Sequence, residues 1–193
     1  MAGAREEKKQ AVRAAIYKAA IDLFEREGYD AVSVGRITSE VGIAKGTFFN
    51  HFPNKADILA AWYSDLVEQA LSPQDPALPL LERIALSNRH IAKLVQARQE
   101  LWRAKSVEAA RTPSIQNVER EADTKYVLAV TRELDASDLS DAAPDAASIA
   151  DLLLAISTGT WREALVTGRM EEAEALFEQR VRALLQGLGL ATR

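Results

Sequence analysis

Apolar residues recur every three to four positions along most of the chain, as they do on one face of an amphipathic α-helix. The first such face carries Val12, Ile16, Ala20 and Leu23. Gly28 follows it, and glycine readily takes the left-handed conformation in which many helices end. No segment of the sequence alternates apolar and polar residues as a half-buried strand does. The pattern therefore predicts an all-α protein of about nine helices.

Short helices joined by a tight turn are predicted after this first helix. Ser33 is a favourable N-cap for a second helix, and Gly42 supplies a turn at its end. A third helix is predicted over about residues 45–52, because Pro53 keeps the residue before it out of the α conformation. This is the order of a helix-turn-helix, whose last helix fits the major groove of DNA. The pattern thus predicts an N-terminal DNA-reading head of three helices.

The rest of the chain continues the helical pattern. Asn54 is the predicted cap of a fourth helix, with Asp57 three residues later as in a capping box. Pro113 opens a seventh helix, and Gly168 breaks the eighth. The later helices are predicted at about residues 77–95, around Leu101 and Trp102, at 113–134, around 149–156 and at 171–188, with a polar loop at 135–144.

The net charge of -4 hides a difference between the two parts of the chain. Residues 1–55 contain nine Lys or Arg against seven Asp or Glu, whereas residues 56–193 contain fifteen against twenty-one. A modest basic excess in the head and an acidic body fit DNA binding by the head. Because the chain has no cysteine, it has neither a disulfide framework nor a thiolate metal site.

Other classes of function lack their sequence signatures. We expect a cytoplasmic protein without membrane contact, since there is no run of about 18 apolar residues and no secretory signal. There are 2 histidines, and neither a Gly-rich phosphate loop nor a nucleophile elbow occurs, so we expect no enzyme, metal or cofactor. Two alternatives to a specific DNA-binding regulator stay open. They are a helical protein-interaction scaffold and a non-specific DNA-binding architectural protein.

The run from Ser33 to Lys55 resembles the DNA-binding signature of the TetR family of transcriptional regulators, the tetracycline-repressor-like proteins. Its most telling parts are Gly46-Thr47, an aromatic residue at Phe49, His51-Phe52 and Asn54-Lys55. The resemblance implies a homodimeric regulator, most often a repressor, that an unknown small-molecule effector releases from a palindromic double-stranded operator. It also implies a helix-turn-helix DNA-binding domain at residues 1–53 and a helical ligand-binding and dimerisation domain at residues 54–193.

The resemblance also implies which residues contact DNA. Ser33 and Arg36 would contact phosphates, and Lys55 would anchor another phosphate, aided by the positive end of the fourth helix. The predicted DNA-binding residues are Ser33, Arg36, Lys45, Gly46, Thr47, Phe49, Asn50, His51 and Lys55. Phe48 and Phe52 are four residues apart and are predicted to face the core, and a core position is the alternative for His51.

Two positions depart from the family pattern. Ala44 stands where the family often has Ser or Thr, so the third helix loses a side-chain cap. Phe49 stands where Tyr is common, so it can contact a sugar or a thymine methyl group but cannot donate a hydrogen bond. Both departures are expected to weaken or retune DNA affinity without removing the motif.

The body is expected to hold the effector and the dimer interface, as the resemblance implies. The predicted ligand-binding residues are Trp62, Leu66, Asn88, Arg98, Trp102 and Tyr126. An ordinary core position is the alternative for each of them, because effector pockets and cores are both mainly apolar. The predicted dimer-interface residues are Leu152, Ile156, Trp161, Phe177, Val181 and Leu184, for which the core of a monomer is the alternative.

Overall fold

The computed structural model describes residues 2–70, 75, 77–78, 80–135 and 144–189. These residues form helices and connecting turns without a strand, so the all-α prediction is confirmed. The helices are α1 (Ala2–Glu27), α2 (Val34–Val41), α3 (Lys45–Phe49), α4 (Ala56–Ala70), α5 (Leu80–Ala97), α6 (Gln99–Ala109), α7 (Pro113–Asp135), α8 (Ala146–Thr167) and α9 (Ala173–Gly187), with a short 3-10 helix at Met170–Glu172. Within the described residues, none of these helices has the length and apolarity of a membrane span.

Local capping signals set the helix ends near the N-terminus. The Ser33 hydroxyl accepts a hydrogen bond from the Arg36 amide at 3.1 Å, as predicted for the cap of α2. Gly42 ends α2 with a φ of 74°, where a side chain would be strained. Asn54 and Asp57 cap α4 reciprocally, each backbone amide donating to the other residue's side chain at 2.7 and 3.1 Å.

Three boundaries differ from the sequence prediction. The third helix ends at Phe49, several residues before Pro53. The carbonyl of Phe48 accepts hydrogen bonds from the amides of both His51 and Phe52, which form a turn after the helix. The fifth helix begins at Leu80, after the predicted position, and the last α-helix begins after the 3-10 turn. Most of the predicted polar loop, residues 136–143, lies outside the described residues.

The chain is divided into two compact units. The head unit comprises Met1–Tyr63 together with Arg98–Val118, and the body unit comprises Ser64–Ala97 together with Glu119–Arg193. The head unit thus contains α6 and its turn into α7 besides the predicted helix-turn-helix. The functional division after residue 53 stays a prediction.

Each unit has its own apolar core. Fully buried side chains of the head unit include Ile16, Leu23, Phe24, Ile37, Phe48, Phe52, Ile58 and Leu59. The core cluster of the body unit includes Ile84, Tyr126, Leu134, Ile149, Leu153, Phe177, Val181 and Leu185. Burial of this apolar surface supplies the main driving force for folding of both units.

Candidate nucleic-acid interface

One side of α3 is anchored in the core of the head unit. Phe48 and Phe52 are buried with ring centres 6.0 Å apart, as predicted. The Arg13 guanidinium lies 4.1 Å from the centre of the Phe52 ring and donates to the His51 carbonyl at 2.6 Å. Arg13 therefore fixes the turn after α3 from the side of α1. Sequence reasoning missed it, because Arg13 and His51 are far apart in the chain.

The other side of α3 is exposed. Lys45, Gly46 and Asn50 are exposed and Thr47 is half-buried. Phe49 is 50% exposed, although its ring edge contacts Phe48 at 5.4 Å between centres. Phe49 thus presents part of its apolar ring to solvent, where a partner could contact it. The structure therefore brings the predicted base-reading residues together on one open surface.

The start of α2 lies beside this surface. A Cβ atom built on Gly35 would lie 3.4 Å from Lys45 Cε and 3.5 Å from the Ser33 hydroxyl oxygen. The Lys45 side chain thus passes over the first turn of α2, close to Ser33. A Cβ on Gly46 would meet nothing within 4 Å, so the protein backbone there is open to a partner. A cation and a capped helix start are adjacent, which is an arrangement suited to phosphate.

Arg36 is already paired within the head unit. Its guanidinium contacts Glu40 at 2.6 Å and Glu27 at 3.1 Å. The hydrogen bond to Glu40 raises the pKa of Arg36, and the same contact lowers the pKa of Glu40. A phosphate contact by Arg36, as predicted from the resemblance, thus requires that Arg36 exchange at least one carboxylate for DNA.

The phosphate-anchoring role predicted for Lys55 does not fit this geometry. Its ammonium group donates to the backbone carbonyls of Tyr29 at 2.6 Å and Val32 at 3.0 Å. It also lies 3.8 Å from the centre of the Tyr29 ring, and burial lowers its pKa. Lys55 therefore ties the start of α4 to the α1–α2 connection that leads into Ser33. The sequence motif pointed to Lys55 as an anchoring cation, but it did not predict that the partners are backbone carbonyls of the same chain.

A buried carboxylate on α6 interacts with the connection between α1 and α2. Glu108 is buried and receives hydrogen bonds from the Arg111 guanidinium at 2.5 and 3.0 Å, which lower its pKa. Burial together with the nearby Glu108 carboxylate raises the pKa of the Tyr29 hydroxyl. At the next turn, the Ser114 hydroxyl donates to the Asp57 carboxylate at 2.5 Å. The α6–α7 turn is thus bonded to both sides of the helix-turn-helix.

His51 and Ala44 are the remaining positions singled out by the sequence. His51 is half-buried, between its two predicted roles of phosphate ligand and core residue. Ala44 has the extended backbone of an N-cap, with φ -73° and ψ 150°, but makes no side-chain cap hydrogen bond. The loss predicted from the Ala44 departure is therefore present in the structure.

The sequence of this region matches a known family. Residues 16–62 match the bacterial regulatory proteins of the tetR family. The helix-turn-helix region is therefore of the type found in the tetR family. The matched segment includes α2, α3 and the first half of α4. The exposed surface described above lies on α2 and α3 of this segment.

A curated relative and two solved structures extend the comparison. The transposon Tn10 TetC protein of Escherichia coli is 44% identical over 41 residues, which are 21% of this chain and 21% of TetC. The alignments span less than half of the other curated relatives as well. A transcriptional regulator of Rhodococcus sp. Rha1 has a TM-score of 0.71 at 21% identity, covering 93% of this chain and 99% of that chain. Thermus thermophilus FadR, a TetR-family repressor in complex with lauroyl-CoA, has a TM-score of 0.70 at 18% identity, covering 94% and 96%. These two structures establish a TetR-like fold for most of the chain.

The predicted ligand-binding residues do not belong to one unit. Trp62, Arg98 and Trp102 are in the head unit, and Leu66, Asn88 and Tyr126 are in the body unit. Trp62, Leu66, Asn88 and Tyr126 are buried, whereas Trp102 is half-buried with its ring 5.6 Å from that of Tyr63. Arg98 lies between α5 and α6, and its exposed side chain pairs with Glu25 at 3.1 Å. A ligand-binding role does not fit this exposed, paired position.

The predicted dimer residues of the TetR-like body divide into two groups. Leu152 is 45% exposed, and Ile156 and Leu184 are half-buried, so these three are available at a surface. The assignment fails for Trp161, Phe177 and Val181, which are buried within a single chain. An interface face and a core face have the same apolar spacing, so sequence pattern did not separate them. Exposed residues on the same side of α8 as Leu152 include Ala155, Gly159 and Val166.

Proposed function

We propose that this chain is a transcriptional repressor that binds a near-palindromic operator as a homodimer and is released by a small-molecule effector. The observation that carries the proposal is the two-sided α3 helix. Phe48 and Phe52 bury one side, while Lys45, Gly46 and Phe49 are presented on the other. A helix held in this way can enter the major groove without disturbing its own core. Bacterial DNA lies in the cytoplasm, so the protein would act there, and no catalytic role is proposed.

Homodimer formation is proposed through the exposed side of α8. Leu152, Ala155, Gly159 and Val166 recur at helical spacing, and Val166 is 80% exposed. A self-complementary apolar face of this kind is buried most simply by a twofold partner. Two heads related by a twofold axis would read two half-sites about one helical turn apart.

Effector release is proposed for the body unit. Thermus thermophilus FadR holds lauroyl-CoA within a similar fold, which is a precedent for a ligand-binding body. The effector releases DNA only if it binds the DNA-free conformation more tightly than the DNA-bound one. The DNA-contacting residues proposed are those of the exposed surface, namely Ser33, Lys45, Gly46, Thr47, Phe49 and Asn50, with Arg36 and His51 at its edge.

The proposal is tested by fluorescence anisotropy at about 150 mM salt, using the DNA just upstream of the gene and a scrambled duplex. The wild type should prefer the upstream DNA by at least about 10³-fold. A variant with both Lys45→Ala and Thr47→Ala should lose that preference, whereas Lys93→Ala, an exposed lysine of the body, should keep it. Equal binding of both duplexes by the wild type would contradict a sequence-reading head and favour architectural binding.

If the wild type does not bind the upstream DNA, a second experiment tests whether it recognises another DNA sequence. Selection from random duplexes should then recover a palindromic site for the wild type and none for the double variant. Failure to recover any preferred site would overturn the proposed function.

A further inference from the structure

The body unit contains a buried polar cluster on three helices. Asn88 of α5 and Ser157 of α8 are both buried, and the Ser157 hydroxyl donates to the Asn88 side-chain oxygen at 2.8 Å. The Asn88 amide nitrogen donates to the Ile84 carbonyl at 3.1 Å. The hydroxyl of Tyr126 on α7 is close enough to Asn88 for the amide to influence its ionisation. The polar atoms of Asn88 and Ser157 thus satisfy each other, in an otherwise apolar surrounding.

Two hydrogen-bond donors of the body unit, one on α7 and one on α8, are not satisfied in the same way. Tyr126 is 6% exposed and Trp161 is 4% exposed, yet the Tyr126 hydroxyl and the Trp161 indole N–H make no hydrogen bond of normal geometry within the described residues. Trp161 follows Ser157 by four positions, so both lie on the same face of α8. A buried donor without an acceptor is unfavourable because it has lost its hydrogen bonds to water, so each such group calls for a partner.

The Tyr126 hydroxyl stays a donor under all ordinary conditions. Burial raises its pKa to about 12, and the Asn88 contact offsets part of that rise. The indole N–H of Trp161 can only donate. Both groups therefore favour a ligand atom that accepts hydrogen bonds, such as a carbonyl oxygen.

The charges of the body unit restrict the ligand further. Its buried polar residues, among those described, are Asn88, Ser157 and Thr160, all uncharged. The arginines of the unit that lie near its core are paired with carboxylates, as in Arg83–Glu133 at 3.0 Å and Arg180–Glu163 at 2.5 Å. A charged ligand buried here would lose its hydration without gaining a counter-charge.

Resting on the proposed effector release, we propose that the effector is an uncharged, mainly apolar molecule whose carbonyl oxygen accepts hydrogen bonds from Tyr126 Oη and Trp161 Nε1. A medium-chain ketone, ester or lactone has this chemistry. The apolar chain of such a molecule would lie against side chains of the body core. Acids and amines should bind weakly because the site offers no counter-charge. Plain alkanes should bind weakly because they leave both donors without an acceptor.

The test uses four probes of equal chain length on the full-length protein: 2-nonanone, nonanoate, nonylammonium and nonane. Calorimetry and quenching of tryptophan fluorescence should report 2-nonanone binding that is at least about tenfold tighter than binding of the other three. Binding of nonanoate or nonylammonium as tight as that of the ketone would overturn the proposal. Binding of none of the probes would overturn it as well.

Matched variants test whether Tyr126 and Trp161 are the hydrogen-bond donors to the ketone. Tyr126→Phe and Trp161→Phe remove one donor each and keep most of the ring, so each should weaken 2-nonanone binding about tenfold. Tyr17→Phe, which alters a tyrosine of the head unit, should leave it unchanged. Thermal melting checks that the variants fold, and Tyr126→Leu serves as a second variant if Tyr126→Phe is unstable. Unchanged ketone binding in both donor variants would contradict the assignment.

The proposed function fails separately from this inference. If 2-nonanone binds through the two donors but does not lower operator affinity, the site stands and effector release is wrong. If a charged metabolite fraction releases operator DNA while 2-nonanone does not bind, effector release stands and the ligand class is wrong.

Discussion

The ammonium group of Lys55 donates to the carbonyl oxygen of Tyr29 at 2.6 Å and lies 3.8 Å from the centre of the same residue's ring. A hydrogen bond and a cation–π contact thus connect the start of α4 to the segment before α2. Val32, the residue directly before the N-cap Ser33, accepts the second hydrogen bond of Lys55. The cation supports the DNA-facing surface from within.

Lys55→Met is expected to destabilise the head unit by about 2–3 kcal/mol, because two carbonyl acceptors lose a charged donor. Urea unfolding followed by circular dichroism measures the change. Lys45→Met is the matched control, since Lys45 is exposed, and its free energy of unfolding should stay within about 0.5 kcal/mol of the wild type. Wild-type stability of Lys55→Met combined with lost DNA binding would restore the phosphate-anchoring role.

Phe49→Ala is expected to separate DNA binding from stability. The ring is half-exposed, so the free energy of unfolding should change by less than about 1 kcal/mol. Operator affinity should fall about tenfold, because the ring no longer contacts the DNA sugar or a thymine methyl group. Phe48→Ala, one residue earlier and buried, should instead lose about 3–5 kcal/mol of stability. Wild-type operator affinity in Phe49→Ala would remove this residue from the interface.

Ala44→Ser is expected to stabilise α3. The backbone of Ala44 already has the extended conformation of an N-cap, so a serine hydroxyl could accept a hydrogen bond from the first turn without a backbone change. The expected gain is about 1 kcal/mol in the free energy of unfolding. Ala44→Val adds bulk without an acceptor and should give no gain. Equal stability of both variants would show that the end of α3 does not limit the head.

The stability of the head unit should depend on pH through Glu108. Arg111 lowers the folded-state pKa of Glu108 below its ordinary value of 4.5. The contribution of the ionised carboxylate is therefore present above pH 4.5 and is lost as the pH falls through the lower, folded value. Glu108→Gln should be less stable than the wild type at neutral pH, and the difference should shrink in acid. A difference that is constant with pH would contradict this assignment.

Gly159→Gln is expected to break the proposed dimer without harming the monomer. A Cβ at Gly159 meets nothing within 4 Å in its own chain, and glycine is a poor helix former, so the single chain should not lose stability. The larger side chain would separate two α8 helices across a twofold interface. Light scattering after size-exclusion chromatography should report a monomer for Gly159→Gln and a dimer for Thr124→Gln on α7. A dimer in both variants would place the interface elsewhere.

The sequence predicted those features that depend on neighbouring residues. The cap at Ser33, the turn at Gly42 and the inward and outward sides of α3 follow from local conformational preferences and from helical spacing. The features that it missed join residues far apart in the chain, such as Glu108 with Tyr29 and Arg13 with His51. Phe177 and Val181 were misassigned because burial against one's own chain and against a second copy require the same apolar residues.

The head unit draws on two separate stretches of sequence, and this limits how it can be recombined. A chimera that grafts only the segment up to Tyr63 onto a foreign sensor leaves Tyr29 and Asp57 without their partners Glu108 and Ser114 from the stretch Arg98–Val118. Successful exchange of operator specificity therefore requires that both stretches travel together, or that substitutions stay on the exposed residues of α3.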